Sequence, residues 1–243
     1  DIEIGESILE IGPGLGVLTK ALLEKDSSVT AIEIDTNLCK YLKERFKDEK
    51  KFTLLEMDVM ELSSSSLSQL IPKHSKIVAN LPYNISTQLF LRIFPVRKTW
   101  ESLTLMLQKE VAERICASPE SRKAYGALSL VCELGFEREI IEIIPPECFK
   151  PSPKVDSAIV RLLPKKSELK PEREKLFIQW IQLLFQQRRK TLVNGIRKHY
   201  PEWYLNQGFT IQKKFGMRRP ETLWFKDWMR LFNNFLKDQN GTY

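Results

Sequence analysis

Four short runs of this chain end apolar stretches in polar groups: Glu10-Ile11-Gly12-Pro13-Gly14-Leu15-Gly16, Ala31-Ile32-Glu33-Ile34-Asp35, Met57-Asp58-Val59 and Asn80-Leu81-Pro82-Tyr83. The last is the most unusual. Proline removes a backbone donor and fixes φ, so the carbonyls around Pro82 can point outward together. The Asn80 amide oxygen and the Leu81 carbonyl can then accept both hydrogens of one amine, and Tyr83 offers a flat face for a planar group. That set suits an amine on an aromatic ring, whose lone pair is delocalised and weakly nucleophilic. Two acceptors that draw its hydrogens out of the ring plane localise the lone pair. Orientation and preorganised dipoles then replace a strong base.

The other three runs describe a ligand rim. Glycines at 12, 14 and 16 allow a tight turn and close approach of a ligand, although a purely structural turn uses glycine in the same way. The spacing is GxGxG, and Val17 stands where a dinucleotide fingerprint requires its third glycine. This disfavours NAD and fits a cofactor without a pyrophosphate, such as S-adenosylmethionine. Glu33 lies 21 residues after Gly12, where a carboxylate can accept both hydroxyls of a ribose. Asp35 either faces solvent or caps the next helix. Asp58 can accept from an adenine amino group, with Val59 against the ring.

The elements that must position these groups alternate. Strands are expected at 6–11, 29–34, 52–57, 76–79 and 103–107. Helices are expected at 16–24, 37–47, 87–94 and 109–116, and a loop at Ser63–Ser66. This predicts a parallel sheet flanked by helices, with the polar groups at the carboxyl ends of its strands, where open α/β sheets bind ligands. Two more strands, 136–144 and 155–163, flank a proline-rich turn. Beyond Pro164 only helical periodicity is left, at 176–185, 192–196 and 224–236. The expected division is 1–164 for the α/β domain and 165–243 for a small helical domain.

Charge follows the same division. Residues 1–163 carry 21 lysines and arginines against 24 acids, net −3; residues 164–243 carry 17 against 7, net +10. A basic tail on a near-neutral body points to a polyanion, nucleic acid above all. No apolar run approaches the roughly 18 residues of a membrane span. Cys39, Cys116, Cys132 and Cys148 contain no CxxC pair and read as reduced, packed thiols. With only His74 and His199, no metal site is expected.

Taken in order, EIGPGLG, AIEID, MDVMEL and NLPYNIST resemble the motifs of the KsgA-type rRNA adenine N6-dimethyltransferases. The likeness continues through YGALS (125–129), FKPSPKVDSA (149–158), FQQRRKTL (185–192) and RPETL (219–223), so it spans nearly the whole chain. It implies a Rossmann-like methyltransferase fold with a helical C-terminal domain, S-adenosylmethionine as cofactor, and dimethylation of N6 on two adjacent adenosines. These would lie in a hairpin near the 3′ end of small-subunit (16S-type) rRNA, with a role in ribosome biogenesis, in a monomer of the cytoplasm.

The resemblance implies that Glu10, Gly12, Gly14 and Gly16 hold the methionine part of the cofactor. Glu33 and Ile34 would hold its ribose, Asp58 and Val59 its adenine, and Asn80 would border it. Asn80, Leu81, Pro82 and Tyr83 would orient the target. Phe149, which without the resemblance reads sooner as core packing, would stack on the other face of an extruded base. Lys150, Lys154, Arg188, Arg189, Lys190, Arg218 and Arg219 become candidate phosphate contacts, although any one alone is an ordinary surface charge. In the family a segment with a QNFL-like motif precedes the first strand and covers the cofactor. This sequence starts at Asp1, so no residue here takes that role, and an open-sided pocket counts against activity of this piece alone. The competing readings are an Erm-like large-subunit methyltransferase and a non-catalytic assembly factor on the same scaffold. Leu81 argues against the NPPY and DPPY enzymes that modify protein glutamine or DNA adenine.

Overall fold

The computed structural model describes residues 2–81, 86–150 and 152–240. Its strands are β1 (Ser7–Ile11), β2 (Ser28–Glu33), β3 (Phe52–Glu56), β4 (Ser75–Asn80), β5 (Trp100–Gln108), β6 (Phe136–Ile144) and β7 (Ser157–Pro164). They form a seven-stranded sheet in the order β3-β2-β1-β4-β5-β7-β6. The first five are mutually parallel, as the strand–helix alternation predicts. β7 runs antiparallel to both β5 and β6, so the sheet is mixed. The proline-rich segment sends β7 back along β6, and antiparallel pairing needs no crossover helix. Central β1 is buried at four of its five positions, as expected of a strand covered on both faces. Edge strand β6 carries Glu137, Arg138, Glu139 and Glu142 and is largely exposed.

The helices are α1 (Val17–Leu23), α2 (Thr36–Arg45), α3 (Ser64–Leu67), α4 (Ser86–Ile93), α5 (Lys109–Cys116), α6 (Ala127–Gly135), α7 (Pro171–Phe185), α8 (Leu192–His199), α9 (Pro201–Phe215) and α10 (Phe225–Asn240). Two depart from the sequence reading. The serine-rich stretch is the short helix α3, because the Ser63 hydroxyl accepts from Ser66 N at 3.1 Å and caps it. Helix α6 lies where no helix is expected, and α9 fills a gap between the marked helical stretches of a tail expected to be helical throughout.

The chain packs as two compact units, one comprising the residues up to Ala112 with Gly135–Lys166, the other Glu113–Leu134 with the chain from Ser167 onward. In the first, Phe90, Phe94 and Phe136 meet at centroid distances of 5.4–6.4 Å. The Arg97 guanidinium lies 4.2 Å over the Phe94 ring there. The second is built around Trp180, whose ring meets those of Phe177, Trp203, Trp228, Phe232 and Phe235. Cys39 and Cys132 are buried as expected, but Cys148 is exposed.

Candidate active site

The sheet register aligns the carboxyl ends of four adjacent strands. Ile11 of β1 pairs with Ile32 of β2 and Ala79 of β4, and Glu33 pairs with Glu56 of β3. The chain leaving these ends carries Gly12 to Gly16, Glu33 with Ile34, Asp58 with Val59, and Asn80 with Leu81. All therefore lie on one rim, as predicted.

Within the loop after β1 the glycines differ. Gly12 N–H donates to Ile32 O at 3.0 Å, and Gly16 N–H closes a turn on Pro13 O at 2.9 Å. Gly14 and Gly16 both have left-handed backbones, at φ 58° and 74°. A Cβ on Gly14 would meet nothing within 4 Å, whereas one on Gly16 would fall 2.6 Å from the Phe46 ring and 2.8 Å from Leu42. Gly16 lets α2 approach, and Gly14 leaves open space at the rim. Both alanine variants incur left-handed strain of about 1–2 kcal/mol, but only Gly16→Ala adds overlap, about 1–3 kcal/mol more. Thermal denaturation is expected to show a clearly lower midpoint for Gly16→Ala than for Gly14→Ala.

Glu33 is 7% exposed. Its Oε1 accepts from Ile34 N at 2.9 Å and Asp35 N at 3.1 Å, and its Oε2 from Gly14 N at 3.2 Å. Three backbone donors fix the carboxylate at the rim and join it to the glycine loop. Asp35 caps α2, its Oδ1 accepting from Asn37 N at 2.8 Å and Leu38 N at 3.0 Å, as the sequence allowed. Asp58 caps its own turn through Met60 N at 2.7 Å, and Val59 is buried behind it. Ile34 is 64% exposed, an apolar side chain left uncovered beside a buried acid.

Glu10 is not on the open rim. It is 1% exposed, and its Oε2 accepts from the Thr19 hydroxyl of α1 at 2.6 Å. Burial pushes its carboxyl from the ordinary 4.5 up to about 7, only partly offset by the Thr19 hydrogen bond. Between those two values the folded protein keeps a proton that the unfolded chain has released. Stability therefore falls as pH rises across that window, by on the order of 3 kcal/mol in full. Glu10→Gln keeps an acceptor for Thr19 and removes the titration. Its denaturation midpoint is expected to stay flatter than wild type between about pH 5 and about pH 8, and to exceed it at the upper end.

Asn80 is exposed at the end of β4, and its carbonyl oxygen lies 3.5 Å from where a Gly12 Cβ would be. Leu81 is buried, its N–H held by Met106 O at 3.2 Å. Pro82 and Tyr83 lie outside the described residues. Phe149, half-buried, follows a turn closed by its N–H on Pro146 O at 3.1 Å. Its loop springs from the same end of the sheet, because Ser157 pairs with both Gln108, the end of β5, and Ile144, the end of β6.

Three positioning groups have little sequence signal. Arg45 donates to the Leu15 carbonyl at 2.7 Å and braces the glycine loop. Thr19 holds Glu10. Lys109 pairs with Asp156 at 3.0 Å, fastening the end of β5 to the loop that carries Phe149. Each partner is distant in sequence, and only the helix spacing of Tyr41 and Arg45 hints at the first.

Among the predicted phosphate contacts, Lys150, Lys154, Arg189, Lys190 and Arg219 are exposed. Arg188 is instead occupied within the protein, by Glu221 at 2.7 Å and by the carbonyls of Arg122 and Lys123. Arg218 donates to Thr222 O and lies 3.6 Å from Asp227. Among the described residues no group of three His, Cys, Asp or Glu side chains could hold a metal.

Comparison with known proteins agrees with this fold. The family model described as ribosomal RNA adenine dimethylase matches residues 1–232. A ribosomal RNA small subunit methyltransferase A of Nitrosospira multiformis is 39% identical, over 96% of this chain and 87% of its own. One of Synechocystis is 38% identical, over 94% and 83%. A dimethyladenosine transferase from Plasmodium falciparum superposes with a TM-score of 0.75 at 26% identity, over 97% and 92% of the two chains. The 23S rRNA methyltransferase ErmE superposes at 0.69 with 25% identity, over 96% and 92%.

Proposed function

The chain belongs to the ribosomal RNA adenine dimethylase family, and we propose that it methylates N6 of two adjacent adenosines in a hairpin near the 3′ end of small-subunit rRNA. The observation that carries the residue assignment is the single rim on which β1, β2, β3 and β4 place Gly14, Glu33, Asp58 and Asn80. The small-subunit choice rests on the curated relatives at 38–39% identity. The fold likeness to ErmE is what favours the large-subunit alternative.

The rim fits S-adenosylmethionine, which when bound supplies a methyl group on a positively charged sulfur. Gly14 leaves room for close backbone approach beside Gly12 and Gly16. Glu33, fixed by three N–H groups, turns its remaining lone pairs to the ribose hydroxyls, with Ile34 covering the sugar. Asp58 has a second oxygen for the adenine amino group, and Val59 backs the ring. Glu10 acts from behind the loop, through Thr19, in holding the methionine end.

On the RNA side, the Asn80 amide oxygen and the Leu81 carbonyl accept the two N6 hydrogens and localise the nitrogen lone pair. Tyr83 and Phe149 take the two faces of an extruded adenine, and stacking repays part of the unpairing cost. Once one methyl is in place and the nitrogen has released one proton to water, a single hydrogen is left for the two acceptors, so the second transfer relies more on stacking. Residues 1–164 carry this chemistry, and 165–243 carry most of the RNA affinity. Lys150, Lys154, Arg189, Lys190 and Arg219 supply phosphate contacts, while Arg188 and Arg218 have their guanidinium groups engaged at home. The enzyme acts as a monomer in the cytoplasm. No helix among the described residues is long and apolar enough to cross a membrane.

The test is to incubate the protein with S-adenosylmethionine and unmethylated small subunits, then map the product by sequencing the RNA. Two neighbouring dimethyladenosines in one 3′-terminal hairpin are expected. Methylation at isolated or scattered adenosines would refute the assignment.

A further inference from the structure

The second packing unit contains an open cleft of about 740 Å³, whose lining includes none of the residues assigned to the chemistry. Its lining includes Arg122, Lys213, Lys214, Met217, Arg218 and Arg219. Arg122, Lys213, Lys214 and Arg219 are exposed, so their charged ends are available. Glu221, the acid among the lining residues, is taken by Arg188 at 2.7 Å. The cleft is therefore strongly cationic. It is also open, unlike the enclosed apolar pockets that hold small molecules. Met217 is 85% exposed within it, an uncovered apolar group among cations.

These cations come from two separate stretches of chain, residue 122 and residues 213–219, and one side chain ties the two together. The Arg188 guanidinium donates to Glu221 in the turn after Arg219, and to the carbonyls of Arg122 and Lys123 between α5 and α6. Leu192 N–H adds a bond to Arg218 O at 2.9 Å. A planar fork with five donors can hold three acceptors at once; a lysine ammonium on a flexible stem cannot reproduce that geometry.

We propose that this cleft is a second RNA-backbone site, gripping the phosphates of a duplex segment with Met217 against its shallow groove, and that Arg188 is its clamp. The reading rests on the rRNA substrate proposed above. Backbone contacts of this kind carry affinity and register, not sequence. An A-form duplex offers a wide, shallow groove flanked by phosphates, which suits an apolar tip between cations. Arg188 is on this account a positioning residue: it acts through Arg122 and the 218–222 turn without touching RNA.

The test measures affinity of the full chain for unmethylated small subunits and for protein-free rRNA over a range of salt. Lys213→Ala/Lys214→Ala and Arg122→Ala are expected to weaken both complexes, and to reduce the slope of log K against log salt by about 1 for each phosphate no longer neutralised. Arg188→Lys keeps the charge and breaks the fork. A slope reduced as in the cleft variants supports the clamp; a wild-type slope would overturn it, since a direct phosphate contact survives that exchange. Unchanged slopes in the lysine and Arg122 variants would overturn the cleft. So would weaker particle binding with undiminished binding to protein-free rRNA, which would assign the cleft to an acidic protein surface. S-adenosylmethionine affinity serves as the folding control. Binding is read apart from methyl transfer, so a protein that grips RNA through this cleft but transfers no methyl would overturn the functional reading alone.

Discussion

Asn80→Ala is expected to transfer methyl groups about 10²–10³-fold more slowly than wild type, the range seen when one preorganised polar group is removed from a reacting centre. The amide sits at the exposed end of β4 beside the glycine loop, and its neighbour Leu81 is fixed by Met106 O at 3.2 Å. The backbone that aims it is therefore held by the sheet and not by the side chain itself. On the proposed mechanism, removing the amide takes away one of two acceptors for the amine while the strand end is kept. The loss should fall on kcat, with S-adenosylmethionine affinity changing little, because Glu33, Asp58 and the glycine loop are untouched. Single-turnover kinetics with cofactor and RNA both saturating would measure it. Undiminished turnover would remove Asn80 from the mechanism.

The largest stability effect is expected at Trp180. Its indole is 1% exposed and has five aromatic neighbours, with ring centroids 5.4–6.3 Å away. Trp180→Ala opens a cavity among rigid rings that cannot collapse into it, at about 3–5 kcal/mol. At roughly 2–4 °C per kcal/mol for a chain of this size, the denaturation midpoint should drop by about 10 °C. Trp224→Ala is the control: that ring is 43% exposed, and its loss should stay near the ±0.5 kcal/mol of surface changes. Equal shifts in the two variants would show that the aromatic cluster does not hold the tail together.

The α/β half was legible because its signals are local. Apolar runs of strand length alternate with helical spacing, and each run that builds the rim ends in a polar residue that the sheet then aligns. The antiparallel insertion of β7 was not, since strand order depends on packing and has no period. Helix α6 escaped for a different reason: Leu128, Ser129, Leu130, Val131, Cys132 and Leu134 are all buried, so the segment has no polar face to set a 3.6-residue rhythm. Helix α9 carries a proline start signal at Pro201, but Gly208 interrupts its pattern. At the site, Glu33 and Asp58 could be placed from the strand ends that carry them. The burial of Glu10 and the engagement of Arg188 arise from partners 9 to 66 residues away, which no local pattern encodes.

The measurement that bears most directly on the account is a count of N6,N6-dimethyladenosine by mass spectrometry. The full-length protein and S-adenosylmethionine would be incubated with unmethylated small subunits and, in parallel, with unmethylated large subunits. The account predicts dimethyladenosine in small-subunit RNA alone, at two per particle when the reaction is complete. The same product confined to large-subunit RNA would contradict it and move the chain to the Erm-like reading.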